Sequence, residues 1–140
     1  MSTEPSLALQ EAVRARLLDT PAVVAQVEAA SIRDSGVRQQ QFPAIIIGDG
    51  QTVFEGSYPG RRNVTVYLDL HIWTGEGGQS AAKSIANDVW TALTDAPLAV
   101  PGFDLDDGYH VDIAKFIRDP APEVGHVVLS THAFMSGEVG

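Results

Sequence analysis

The sequence predicts an α+β domain, a mainly antiparallel sheet with two main helices packed on one side. Three observations lead there. Val64, Val66, Leu68, Leu70 and Ile72 alternate with Thr65, Tyr67, Asp69, His71 and Trp73, the period of a strand with one apolar face. Leu9, Val13 and Leu17, and again Ile85, Val89 and Leu93, recur four residues apart, the spacing of a helix stripe. Tyr109 to Ile117 and Val124 to Met135 then form two further strands, joined through Arg118-Asp119-Pro120-Ala121-Pro122 as an antiparallel pair.

The remaining elements follow in order. Ser6 is the expected N-cap of the first helix, with Ala8, Ala12 and Ala15 between its larger apolar residues. Thr20-Pro21 restarts the chain as a cap and a first-turn proline, so Pro21 to about Val27 is expected as a second, short helix. Ser31 to Gly36 reads as an edge strand leading through Gln39-Gln40-Gln41 to Pro43. Ala44-Ile45-Ile46-Ile47-Gly48 is a β-branched run between Pro43 and Asp49-Gly50, expected as a strand covered on both faces. Residues 49–63, with Gly50, Gly56, Tyr58-Pro59-Gly60 and Arg61-Arg62, read as an exposed loop or loose hairpin arm. Gly75-Glu76-Gly77-Gly78 ends the long strand, Ser80 is the expected cap of the next helix, and Pro97 and Pro101-Gly102 close it.

Composition narrows the function. The 140 residues suit one domain spanning 1–140, with 44% hydrophobic and 19% charged side chains. No cysteine is present, which removes disulfide frameworks, thiol nucleophiles and thiolate zinc sites. Met1 to Pro5 lacks a basic flank and an apolar stretch, and no apolar run reaches the roughly 20 residues of a membrane helix, so a cytoplasmic protein with no membrane partner is expected. The net charge is −9, and residues 71–140 hold three basic groups against ten acidic ones. That balance repels a polyanion and argues against non-specific gripping of nucleic acid.

The chemical motifs fail at defined positions. Gly77-Gly78-Gln79-Ser80-Ala81-Ala82-Lys83-Ser84 has the outline of a phosphate loop, but Ala82 stands where glycine must precede the lysine, leaving a glycine-rich turn and a solvated Lys83. Asp104-Leu105-Asp106-Asp107-Gly108 opens like a calcium loop, but Gly108 and Lys115 fall at ligand positions, which leaves a polar turn and a source of negative potential. Asp69 with His71, and His110 with Asp112, each share a strand face, so convergence of both pairs would be needed to ligate a metal. His126 and His132 read equally well as half-buried strand residues, and Trp73 and Trp90 as core or rim aromatics. No Gly-x-Ser-x-Gly elbow or triad is apparent. No catalytic residue, cofactor or metal site is therefore expected, and the protein is not expected to be an enzyme. The competing reading is a small-molecule or metal-binding α+β domain using these His and Asp strand faces.

The order of segments resembles the tail-terminator, or tail-completion, proteins that join head to tail in long-tailed bacteriophages and phage-like gene transfer agents. The resemblance rests on Leu7–Leu18 followed by Thr20-Pro21-Ala22-Val23, on Phe42 to Asp49, and on Leu70-His71-Ile72-Trp73-Thr74. It continues through Ala82-Lys83-Ser84-Ile85-Ala86, Leu93 to Leu98, and Phe116-Ile117-Arg118-Asp119-Pro120 before an apolar strand. It implies a virion structural protein forming a homohexamer ring that caps the tail tube, stops its polymerisation and joins the tail to a head-side connector or stopper protein. Implied partners are further copies of the chain, the tail tube protein, that connector, and DNA passing through the lumen. The implied location is the bacterial cytoplasm during assembly, then the head–tail junction of a virion or phage-like particle. Tyr58, Arg61 and Arg62 are the expected subunit or partner contacts, because Tyr and Arg anchor interfaces and the arm is poor in apolar residues. Asp104, Asp106 and Asp107 are the expected channel-facing acids, since a negative lining does not trap DNA.

Overall fold

A computed structural model describes residues 4–34 and 41–138, including every side chain in those spans except those of Asp49, Ser57 and Tyr58. Helix α1 (Pro5–Leu18) leads into the single turn of α2 (Pro21–Val24), a 3-10 turn at Ala29–Ser31 and the short strand β1 (Ile32–Asp34). Strands β2 (Ala44–Tyr58) and β3 (Arg61–Thr74) precede helix α3 (Gly78–Thr94), and β4 (Asp104–Phe116) and β5 (Gly125–Glu138) complete the chain. The sheet order is β1-β2-β3-β5-β4, with β1 parallel to β2 and every other pair antiparallel. The α+β expectation holds, with α1 and α3 sharing one apolar core with one face of the sheet.

That core follows from the periodicities. Leu9, Val13 and Leu17 of α1 and Ile85, Val89 and Leu93 of α3 are buried against Val66, Leu68, Leu70 and Ile72 of β3. Ala44 to Gly48 is buried throughout, as the unbroken β-branched run requires. The edge strand extends over Ile32–Asp34, and Ser35, Gly36, Gln39 and Gln40 lie outside the described residues.

Of the three expected helix caps, Thr20 stands at the start of α2 and the other two shift. Glu4, not Ser6, caps α1, its carboxylate accepting from the N–H groups of Ser6 and Leu7 at 3.1 Å each. Burial raises the Glu4 pKa, but those bonds together with the hydroxyls of Ser6 and Thr52 outweigh it and hold the carboxyl below its ordinary value. Proline at N1 needs no donor, so the chain enters the helix at Pro5, before Ser6. Gly77, at φ 80°, caps α3 in place of Ser80, because the turn from β3 demands a left-handed residue that Ser80 is not placed to supply. The helix α2 stops at Val24, three residues short of the expected end.

Two arginines of α1 tie the layers together. Arg16 donates to the carbonyls of Ala92, Ala96 and Pro97 at 2.8–3.1 Å, satisfying acceptors at the C-terminal end of α3. Arg14 Nε donates to the carbonyl of Ile32 at 2.8 Å, fixing β1.

The 49–63 arm is strand rather than loop. The β2 and β3 strands continue in register to Tyr58 and Arg61, leaving Pro59-Gly60 as a two-residue turn with Gly60 at φ 88°. Register shifts after Gly48 and Phe54 bend the arm, which is why its glycines read as loop signals. The supposed polar turn at Asp104–Gly108 likewise belongs to β4, where Gly108 at φ 77° lies inside a register shift between Leu105 and Tyr109.

Candidate functional site

The arm and the acidic run, separate in sequence, meet at one end of the sheet. Arg61 opens β3 opposite Glu138, Asp104 opens β4 opposite Ser136, and β5 lies between them. An Arg61 guanidinium nitrogen lies 3.9 Å from Asp104 Oδ2, with 76% of the aspartate side chain exposed, so the pair is screened and weak. Asp106 accepts from the Ser136 hydroxyl at 3.2 Å, Asp107 is exposed, and Arg62 lies opposite Gly137. Tyr58 holds its place in the backbone ladder opposite Arg61, and its side chain lies outside the described residues. This end therefore carries both expected groups, a basic hairpin tip beside an exposed acidic strand.

The sheet face away from the helices holds all four histidines, in two separate stacks. His71 Nδ1 and His126 Nε2 lie 3.0 Å apart, one ring donating and the other accepting, and the His126 ring stacks on Trp73 at 3.6 Å. The His110 ring stacks on His132 at 4.8 Å, and His132 Nδ1 donates to Asp112 at 2.6 Å. His110 Nε2 lies 3.2 Å from Asp107 without hydrogen-bond geometry. The Asp69–His71 and His110–Asp112 pairs do not converge, because β5 lies between β3 and β4. Among the described residues, no three His, Cys, Asp or Glu side chains gather as a metal site.

Burial pushes His126 down from 6.5 to about 4, and the neighbouring His71 lowers it further while Asp119 opposes. Between those values the unfolded chain binds a proton that the native state excludes. The stability from keeping His126 neutral is thus complete above 6.5 and drains away as pH falls through about 4. Replacing His126 by Gln should flatten the stability–pH curve across that window in urea titrations, and an unchanged slope would contradict the assignment.

Gln79, noticed in the sequence only inside the broken phosphate motif, closes the far end of the sheet. Its amide donates to the carbonyl of Ile117 at 2.8 Å and accepts from the N–H of His126 at 3.0 Å. The lysine of that motif is not simply solvated either, since Lys83 Nζ sits 4.4 Å from the centre of the Phe116 ring. Tyr109 donates to the Thr131 hydroxyl at 2.6 Å, which passes a bond to the Leu68 carbonyl at 2.7 Å, and burial holds the phenol protonated by raising its pKa.

Large apolar side chains remain exposed on β2 and on the edge strand β4. Val53 and Phe54 are 37% and 79% exposed on β2, Ile113 and Phe116 are 52% and 55% exposed on β4, and Ile117, just beyond β4, is 41% exposed. Sequence periodicity predicts which residues alternate but not which strand lies at the edge, so this surface was not legible. No described helix is long and apolar enough to cross a membrane.

The family model described as tail completion protein gp17 matches residues 11–136. Among solved structures, the gp17 protein of bacteriophage SPP1 matches with 25% identity and a TM-score of 0.64, covering 97% of this chain and 94% of that one. A chain from the virion of a native gene transfer agent particle matches with 22% identity and a TM-score of 0.79, covering 97% of this chain and 100% of that one, a likeness of fold. No curated protein sequence matches it.

Proposed function

Because the chain belongs to the tail completion protein gp17 family, we propose that it forms a ring, a hexamer, that caps the tail tube, ends its polymerisation and joins the tail to the head-side connector or stopper. The observation that carries this reading is the family match across residues 11–136, which includes every strand and both main helices apart from the first turns of α1 and the last residues of β5. The role is structural and non-enzymatic. It fits assembly in the bacterial cytoplasm and residence at the head–tail junction of a phage or gene-transfer-agent-like particle. Native mass measurement of the purified chain and of the complex released from tails tests it. A six-copy species in the tail complex is expected, and a single copy there would overturn the ring.

Tyr58, Arg61 and Arg62 contact a neighbouring subunit or the head-side protein in this reading, at the sheet end where Arg61 and Asp104 lie together. Reversing both arginines to Glu should leave the fold intact and cut the yield of joined particles about tenfold or more, the effect of losing interface anchors. Normal yields would remove these residues from the contact. Asp104, Asp106 and Asp107 face the lumen, where negative charge prevents the counterion release that would hold DNA. Replacing all three by Lys should permit assembly but slow DNA delivery, more so at low salt. Unchanged low-salt delivery from assembled particles would put the acids elsewhere.

A further inference from the structure

β2 and β4 leave two long strand edges unpaired among the described residues. Among the described residues β1 covers β2 at Ile45 to Ile47 and no strand pairs with Gln51 to Glu55 on the outer side, and β4 ends the sheet order on the other side. Such edges are ordinarily short or guarded by charge, whereas these present Val53 and Phe54 on one side and Ile113, Phe116 and Ile117 on the other. We propose that the two edges pair with each other between copies of the chain. Residues 115–118 of one copy lie antiparallel to residues 52–55 of the next, with Lys115 opposite Glu55, Phe116 opposite Phe54, Ile117 opposite Val53 and Arg118 opposite Thr52. The pairing rests on the ring reading and gives it an interface.

Strand direction supports the match. β2, β3, β5 and β4 are successively antiparallel, so β2 and β4 run in opposite senses. A second copy placed beside the first in the same orientation therefore presents its β2 antiparallel to β4, with the helices of both on the same side of a continuous sheet. This contact is head-to-tail, the kind that closes into a ring when the rotation per copy allows.

Hydrogen-bond phase supports it independently. The N–H of Ile117 points inward to the carbonyl of His126 at 2.9 Å, so alternation turns the backbone groups of Phe116 outward. Carried across the sheet, the same alternation aims Val127 at β3, His71 and Thr65 at β2, and Val53 at Thr65, leaving the N–H and C=O of Phe54 facing out. Phe116 and Phe54 thus offer each other the two bonds of a hydrogen-bonded pair.

Side chains and charge select the register. Phe116 lies on the helix side under Lys83, and Phe54 shares that face through its partner Val64. Lys115 and Glu55 share the opposite face, where Glu55 accepts from the Thr65 hydroxyl at 2.8 Å, and Ile117 and Val53 lie there too. Arg118 comes beside Thr52, whose hydroxyl donates to the Glu4 carboxylate at 3.1 Å, so both cations meet carboxylates. A one-residue slip throws paired side chains onto opposite faces, and a two-residue slip sets Lys115 against Val53 or Ser57 in place of Glu55. The register also carries the neighbour's β1 past the end of β4, beyond Phe116, where no described strand lies.

The chain has no cysteine, so introduced thiols report the pairing cleanly. Val53 and Ile117 would form a non-hydrogen-bonded pair with Cα atoms about 4.5 Å apart, within disulfide reach. They lie at opposite edges of their own sheet, which prevents closure within one chain. Mild oxidation of particles carrying Val53→Cys with Ile117→Cys should give a covalent ladder up to the ring size. Either single variant, or Phe54→Cys with Ile117→Cys, whose side chains face opposite ways, should stay monomeric on a non-reducing gel. Glu55→Lys and Lys115→Glu should each weaken self-association about threefold, and the double exchange should restore it. Monomer bands from particles that hold several copies would overturn the edge pairing and leave the ring standing. A single copy per particle would overturn both.

Discussion

Truncating Leu68 or Leu93 to alanine should lower the unfolding free energy by about 2–5 kcal/mol each, through lost transfer energy and the cavity left behind. Leu68 is 2% exposed on β3 and Leu93 is 1% exposed on α3, and both belong to the core shared by the helices and the sheet. Neither neighbourhood can collapse easily, since β3 is held by strands on both sides and Arg16 bonds the carbonyls at the end of α3. Urea unfolding measures the effect, and unmoved midpoints would contradict the core assignment.

Replacing Gly125 by alanine should cost about 3 kcal/mol, the upper end for overpacking. A Cβ there would stand 2.3 Å from the Gly78 carbonyl oxygen, 2.5 Å from the Thr74 hydroxyl and 2.8 Å from the Ala82 Cβ. The carbonyl and Ala82 belong to the first turns of α3, so relief requires moving the helix away from the start of β5. Gly56→Ala is the informative comparison. Among the described residues nothing lies within 4 Å of a Cβ at Gly56, and its positive φ of 103° is the strain that remains. Equal stability of the Gly125→Ala variant and the parent would show that α3 is not seated so closely on β5.

The strongest sequence signals correspond to the most uniform environments. Val64 to Ile72 alternates cleanly because helices cover one face of β3 along its whole central span, and Ile85, Val89 and Leu93 face the same core. The signal fails where local chemistry serves two purposes. Gly108 relieves a bulge inside β4, yet a glycine after three acids has the composition of a turn. Caps were misplaced because Ser6 and Ser80 are good capping residues by type, while Glu4 before a proline and Gly77 at a left-handed corner satisfy the actual geometry. The family was legible in the order of whole segments. The neighbouring positions of Arg61 and Asp104, and the matched edges at Phe54 and Phe116, depend on strand order and could not be read from spacing.

Electron microscopy of particles assembled without this chain tests tail completion most directly. The proposed role predicts filled heads separated from tails, with the free tails irregular in length because nothing ends tube growth. Tails of normal length joined to heads in its absence would contradict that role.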